Sequence, residues 1–410
     1  MLSRWPELTT DEKIVTICVI SLFLPYYLVA VPSLLAVMRA LLKKDIRQRM
    51  KSVSSSAYVF ASFPIFTLPP IFFHISFNLS ENGAVGTDQG LVNFLLKWFG
   101  LWGGMVIWLL LVFMVYLFSF MKVRFYNNLI DLMLIMSLGA TAFGVADKFF
   151  LHLFIFQGRT SSFFFNANFY GYMIEMFVIM ALYRFEKRHS PGYLLILFVN
   201  LGSILLCDCR TAWAALAVAL VFYAVHYKHN VKWIIIIMLV TVVIIILILW
   251  VPMFSDRLVS KVLDHDVFVR SRIWGDAIEW IRRRPLFGYG MNSYRDICIL
   301  THAKKIRWHS HNLILNVMLD FGVAGLAYFS CMIGKFVSVL NKPQFCASYV
   351  NIRNMIMIAA LATMIHGVTD VPILSLQTAL TLIIIVSGCS VERNERVFKR
   401  LTNFCEIYER

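Results

Sequence analysis

Residues 98–121 read WFGLWGGMVIWLLLVFMVYLFSFM, a run without one charged side chain, and the run stops at Lys122-Val123-Arg124. Crossing about 30 Å of hydrocarbon as a helix takes about 20 apolar residues, so this stretch reads as a membrane span followed by a basic anchor. Similar apolar runs lie at 14–41, 57–77, 129–150, 169–183, 193–206, 211–227, 233–251, 312–337, 355–368 and 373–389. The expected fold is therefore all-α, a polytopic membrane helical bundle of eleven or twelve spans. Residues 1–410 form a single integral membrane domain in this reading, with one long loop at 255–310.

Composition agrees. A chain of 410 residues that is 60% hydrophobic and only 15% charged is not a soluble globule. Ten-residue alternating strands of the barrel type are absent, so the spans are helical. The net charge of +15 comes mostly from Lys and Arg in short loops between spans, where membrane orientation explains it and nucleic acid does not. The eight cysteines are scattered apart from Cys207 and Cys209, without CxxC or zinc-like spacing. The polar start MLSRWPELTTDEK and the long run after it predict no cleavable signal peptide.

Every second loop is basic: KKDIRQRMK, KVR, RFEKRHS, KHNVK, GKFVSVLNK and the tail with Arg393, Arg396, Lys399 and Arg400. These belong on the cytoplasmic side, and the loops between them, such as SENGAVGTDQG, on the outer side. The loop 255–310 then lies outside despite its excess of Lys and Arg. Eleven spans put the N-terminus outside; the first run, with Pro25 and Pro32, is alternatively a tight hairpin of two short helices.

This topology gathers the unusual polar residues on one face: Arg159, Arg210, Arg270, Arg272, His309, His311, Asn312 and Asp370. Single arginines at a bundle mouth often only reach for water or pair with a neighbour such as Asp208. Several from different loops repel one another unless an anion sits between them, and a phosphate or diphosphate fits forked guanidinium donors best. His311 begins the ninth span, where an imidazole either caps the helix or takes a proton from a hydroxyl. No paired outer-side carboxylates suggest a metal, and no cofactor is expected. Ile273, Trp274, Ala277, Ile278 and Ile281 form one apolar face, which predicts an amphipathic helix along the outer leaflet, ending at Pro285. Arg270 and Arg272 are expected to precede that helix, and Arg282 to Arg284 to touch lipid headgroups.

From about Arg159 onward the chain resembles the O-antigen ligase and polymerase family of bacterial membrane proteins. The resemblance is carried, in order, by GRTSSFFFNANF, CRTAW, RSRIW, PLFGYG, HSHNLILNVMLDFGVAGL and HGVTD. It implies a glycosyltransferase of the bacterial cytoplasmic membrane with its active site outward. The donor would be a glycan on undecaprenyl diphosphate and the acceptor a sugar hydroxyl, lipid-linked or in the envelope, with metal-independent and inverting chemistry. Arg210 and Arg270 would serve the diphosphate and His311 the acceptor, with Arg272 competing with Arg270. Family members often have twelve spans with both ends inside. A polysaccharide polymerase is the nearest alternative. An anion transporter is remoter, because neither inverted repeats nor broken midplane helices are visible; a non-catalytic scaffold is the other reading from a different class.

Overall fold

The computed structural model describes residues 6–25, 27–73, 87–156, 158–227, 262–301, 303, 305–341 and 349–397. The expected span at 233–251 lies outside these residues. The other expected spans fall on helices.

Of the two alternatives for the first run, one span or two short helices, the structure has the two helices. Helix α1, Thr10–Ser21, opens with a capping box in which Thr9 and Glu12 satisfy each other's backbone N–H groups. The chain then breaks around Pro25 and re-forms as α2, Ala30–Leu42. Proline cannot continue the helical ladder and restricts the residue before it, which is why the apolar run folds back. Asp11 receives Arg39 Nε and Arg49 Nη2, each at 2.7 Å. The start of α1 is thereby fastened to the end of α2, an antiparallel hairpin.

Helix α3, Lys44–Lys51, precedes α4, Ser56–Ala61, and α5, Phe63–Phe72, with a bend of 105° between α3 and the segment Ser56–Phe72. Next come α6, Thr87–Phe118, and α7, Val123–Ala146. A two-stranded hairpin, β1 Ile155–Phe156 against β2 Arg159–Thr160, leads into α8, Ala167–Arg188. Helices α9, Pro191–Cys207, and α10, Arg210–Tyr227, follow. After them stand α11, Val262–Arg283; α12, Ser293–Leu300; α13, Leu313–Leu340; α14, Val350–His366; and α15, Leu376–Ser387. Among the described residues, four helices are long and apolar enough to cross a membrane: Lys97–Phe118, Val123–Leu151, Leu313–Leu340 and Leu376–Val397.

Helix α8 lies at the centre, with every side chain from Phe169 to Arg184 buried. Its one buried arginine, Arg184, is matched by a forked pair of 2.6 Å bonds to Asp131, as a buried guanidinium requires. One end of the bundle is basic: Tyr116 joins Asp11, and Arg393 donates to the Phe118 carbonyl that closes α6. At the other end, Gln377 Nε2 donates to the carbonyls of Leu22, Leu24 and Phe163 and ties the first hairpin's turn to the loop before α8.

The segment Pro285 to Gly290 is a clasp. Its Tyr289 and Gly290 amides donate to Leu319 and Asp320, while Val323 and Ala324 donate back to Pro285 and Leu286. The contact needs a break in α13 at Gly322, where φ is +64° and a Cβ would stand 2.3 Å from Leu286 backbone atoms. Gly288, at φ +63°, faces Leu319 O in the same way. Only glycine tolerates such geometry without strain.

Three expectations for α11 and its end are corrected here. No breaker stands between Val262 and Arg272, so the helix begins earlier than expected and contains Arg270 and Arg272. Its apolar face is also partnered by protein: Ile273, Ala277 and Ile281 pack with Tyr289, Tyr294, Ile297 and Leu319. Nor is the arginine triplet a uniform lipid-facing patch. Arg283 pairs with Glu279, and Arg284 Nη1 donates to the Phe73 carbonyl at 2.7 Å.

Candidate active site

The site is assembled around Asp370, in the short loop between α14 and α15. Its side chain is 3% exposed and its oxygens are committed. Oδ2 accepts from Asn168 Nδ2 at 2.6 Å and Oδ1 from the Val371 amide at 2.9 Å. Oδ1 also faces His309 Nε2 at 3.5 Å and His311 Nδ1 at 3.4 Å. Burial alone would raise the carboxyl's pKa; the His311 contact and the neighbouring imidazoles of His309 and His366 outweigh it and hold Asp370 below the usual carboxylate range. It is an anion at neutral pH.

The two histidines are ordered by their own backbone. His311 sits at φ +52°, in the left-handed region that a bulky residue enters only when its surroundings hold it there. Its N–H donates to His309 Nδ1 at 3.2 Å, and its carbonyl accepts from Trp274 Nε1 of α11 at 3.4 Å. His309 thus has both ring nitrogens committed. Burial pushes its pKa down to about 4, against the pull of Asp370, so it is neutral. His311 is different. A proton on the Nδ1 that faces Asp370 leaves Nε2 with the lone pair, which is the arrangement of a carboxylate-oriented general base.

Arg159 supports Asp370 from behind. The fully buried carboxylate of Asp147 accepts from the Leu153 and Phe154 amides and from the Thr160 hydroxyl, fixing the β-hairpin. Arg159 then donates from Nε to the Cys207 carbonyl at 2.8 Å and from Nη2 to Asn168 Oδ1 at 2.5 Å. Hydrogen bonds run from Arg159 to Asn168 to Asp370, and Asp370 in turn faces His311 Nδ1 at 3.4 Å. Arg210 is half-buried at the first position of α10, and the hydroxyl of its neighbour Thr211 meets that of Thr369 at 2.8 Å.

Arg270 and Arg272 are separated by the helix itself. Residues two apart are about 200° apart around an α-helix. Arg270 shares the side of Ile273, Trp274, Ala277 and Ile281, is half-buried, and comes close enough to His366 for their charges to interact. Arg272 is exposed on the other side. Asn312 has its amide committed to structure: Oδ1 caps α13 by accepting from Leu315, and Nδ2 donates to the Val368 carbonyl. The fold thus gathers Arg159, Arg210, Arg270, His309, His311 and Asp370 toward one end of the bundle, and leaves Arg272 exposed on the other side of α11.

Residues 193–330 match the family model described as O-Antigen ligase. The chain carries an O-antigen ligase family domain. The matched segment holds Arg210, Arg270, His309 and His311; Arg159 precedes it, Asp370 follows it, and the fold closes them onto it. No curated protein matches the chain. The matched domain and the helices long and apolar enough to cross a membrane describe a multi-pass membrane protein, and the family implies a ligase- or polymerase-like role on lipid-linked glycans in general.

Several site residues escaped the sequence reading. Asn168 lies inside a quoted motif but looked like any loop amide, and Trp274 looked like part of an apolar face. Glu175 and His366 form a fully buried pair at 2.5 Å beneath Asp370, whose own amide donates to the His366 carbonyl. An ionisable residue in the middle of a span, as Glu175 is, was the available signal. The search for paired carboxylates also missed a different metal-capable group. His309, His311 and Asp370 present three ligand atoms within 4.8 Å of one another. The separations of 3.4 and 3.5 Å to Asp370 are near the edge, about 3.4 Å, of a tetrahedron with bonds of about 2.1 Å.

Proposed function

We propose that this protein is an O-antigen ligase-like glycosyltransferase that moves a glycan from undecaprenyl diphosphate to an acceptor sugar hydroxyl on the outer side of the bacterial cytoplasmic membrane. The observation that carries the reading is Asp370 facing His311 Nδ1 at 3.4 Å, at the end of the bundle where Arg210 and Arg270 stand half-buried. The acceptor oxygen attacks the anomeric carbon as its proton passes to His311 Nε2. The bond from that carbon to the diphosphate oxygen breaks, and the electron pair leaves with the diphosphate. Negative charge grows on that leaving group, so guanidinium groups fixed beforehand stabilise the transition state more than the ground state. Attack opposite the leaving group inverts the anomeric centre. The diphosphate linkage supplies the driving force, and the reaction needs neither a cofactor nor a metal.

The test is transfer in vitro with purified protein, lipid-linked donor and acceptor, with and without EDTA. His311→Ala is expected to lower turnover about 100-fold to 10,000-fold, the span for loss of a general base, with donor binding retained. His311→Asn, which suits the left-handed φ of +52° at this position but offers no usable base, is expected to be no better. Near-normal turnover by His311→Asn would remove His311 from the chemistry. Loss of wild-type activity in EDTA would turn His309, His311 and Asp370 from a base and its support into metal ligands. An acceptor that is a final envelope sugar makes the protein a ligase, and one that is a lipid-linked repeat makes it a polymerase.

A further inference from the structure

At the basic end of the bundle a bare apolar helix face runs into a group of unpaired cations. On α2, Val31, Leu34, Leu35, Met38 and Leu42 are between 47% and 69% exposed, while Ala36, Val37 and Ala40 behind them are buried. At about 100° per residue these five positions form a single stripe. Lys43 follows at once, and on α3 Lys44, Arg47 and Lys51 again share one face. We propose that this corner seats an anionic phospholipid, with its acyl chains along the α2 stripe and its phosphate among Lys43, Lys44, Arg47 and Lys51.

The fold divides the basic residues by task. Arg39 and Arg49 are committed to Asp11, and Ile46 and Met50 are buried in the core, so α3 is fastened down on one side. On the other side Lys43, Lys44, Arg47 and Lys51 are exposed, and their side chains have no hydrogen-bond or ion-pair partner among the described residues. The acidic group nearest in sequence, Asp45, lies 3.9 Å from Arg49. Cations held this close repel one another and are drawn to a negative headgroup layer. The bend of 105° sets α3 across the apolar segment Ser56–Phe72 rather than along it, the attitude of an interfacial helix.

Both halves of the corner are needed to select the ligand. A free phosphate would leave the α2 stripe without a partner, and a lipid without net charge would leave the cations unbalanced. The lipid-linked donor of the proposed reaction is also an apolar chain with phosphates, but its reacting end belongs at the opposite end of the bundle. There Gln377 ties the turn after α1 to the loop that leads to Asn168 and Asp370.

The experiment uses the full-length protein with its cysteines replaced and a bimane label on Met38→Cys, in vesicles of phosphatidylcholine. Quenching by brominated phosphatidylglycerol and by brominated phosphatidylcholine gives the ratio of their affinities for the α2 stripe. One cation near a negative headgroup layer is worth about fivefold in affinity, so the unsubstituted corner is expected to favour phosphatidylglycerol by about tenfold or more. Adding Lys44→Gln, Arg47→Gln and Lys51→Gln together is expected to bring the ratio below about threefold. Salt at about 0.5 M is expected to lower it without any substitution in the corner, because these charges face water. A label at Ile135→Cys, 64% exposed on α7, is expected to report the same ratio with and without the three glutamines, which makes the loss local. A ratio near one in the unsubstituted corner, a ratio that survives the three glutamines, or an equal change at Ile135 overturns the assignment. So does undecaprenyl diphosphate that displaces brominated phosphatidylglycerol more readily than unlabelled phosphatidylglycerol does, which would give the seat to the donor.

Discussion

Replacing Asp370 by Asn tests the site most sharply, because the change keeps shape and removes one charge in a position where every hydrogen bond has a direction. Both Asp370 oxygens accept, one from Asn168 Nδ2 and one from the Val371 amide. A side-chain amide at position 370 must put an NH2 in one of those places. Facing Asn168, it meets a donor, and Asn168 cannot turn over without setting its own NH2 against Arg159 Nη2. Facing Val371, it meets the backbone donor and also points at His311 Nδ1, which forces the imidazole proton onto Nε2 and abolishes the base. The first arrangement leaves a buried donor unpaired, at about 1–3 kcal/mol of stability. The second removes the general base, at about 100-fold to 10,000-fold in turnover, or roughly 3–5 kcal/mol. The compensating pair Asn168→Asp with Asp370→Asn returns an acceptor to Arg159 and lets the amide at position 370 donate toward position 168 while accepting from Val371 and His311. That double variant is expected to regain a tenfold or greater part of the turnover lost by Asp370→Asn, though not all of it, since no carboxylate remains beside His311. The assay is turnover at saturating substrates, with detergent melting temperature and donor binding as controls on folding. Wild-type turnover by Asp370→Asn, or a double variant no faster than Asn168→Asp and Asp370→Asn taken alone, would refute the proposed bond chain.

Three further outcomes follow from the geometry. Arg270→Ala is expected to lower transfer about 100-fold, the loss of one charge-stabilising contact, while Arg272→Ala stays within about threefold of wild type; initial rates with lipid-linked donor distinguish them, and the reverse order would place the anion on the other side of α11. Gly322→Ala is expected to prevent stable folding, because its Cβ would stand 2.3 Å from Leu286 backbone atoms at a φ of +64°; a monodisperse, active variant in detergent would contradict the clasp. In a cysteine-free background, Glu279→Cys, at an exposed position on α11, is expected to react with a membrane-impermeant thiol reagent in intact cells and Lys187→Cys only after the membrane is opened; the opposite pattern would place the site in the cytoplasm.

The helical bundle was legible because bilayer thickness imposes a run length that composition cannot hide, as residues 98–121 display. The first hairpin was half legible. Pro25 marked the break, but what shows that the chain folds back is the pairing of Asp11 with Arg39 and Arg49, and a sequence separation of 28 and 38 residues has no local signature. The extent of α11 was misjudged because its stripe of apolar residues begins at Ile273, whereas helix formation upstream needs only the absence of a breaker.

The histidines and arginines of the site were readable as chemistry but not as geometry. Whether Arg270 or Arg272 faces inward depends on rotation about the helix axis, which becomes fixed once α11 is known to run through both residues and to bury Ile273 and Ala277. The support of Asp370 was unreadable for a deeper reason. Asn168 and Asp370 stand 202 residues apart, on opposite sides of the matched family segment, and each alone is an ordinary polar loop residue. Their meeting is a product of the packing of α8 against α14, which brings GRTSSFFFNANF and HGVTD to the same end of the bundle. The residues proposed to do the chemistry are therefore held by a frame drawn from outside the segment that carries their motifs, and changes in Asn168 or Asp147 should reach His311 without touching it.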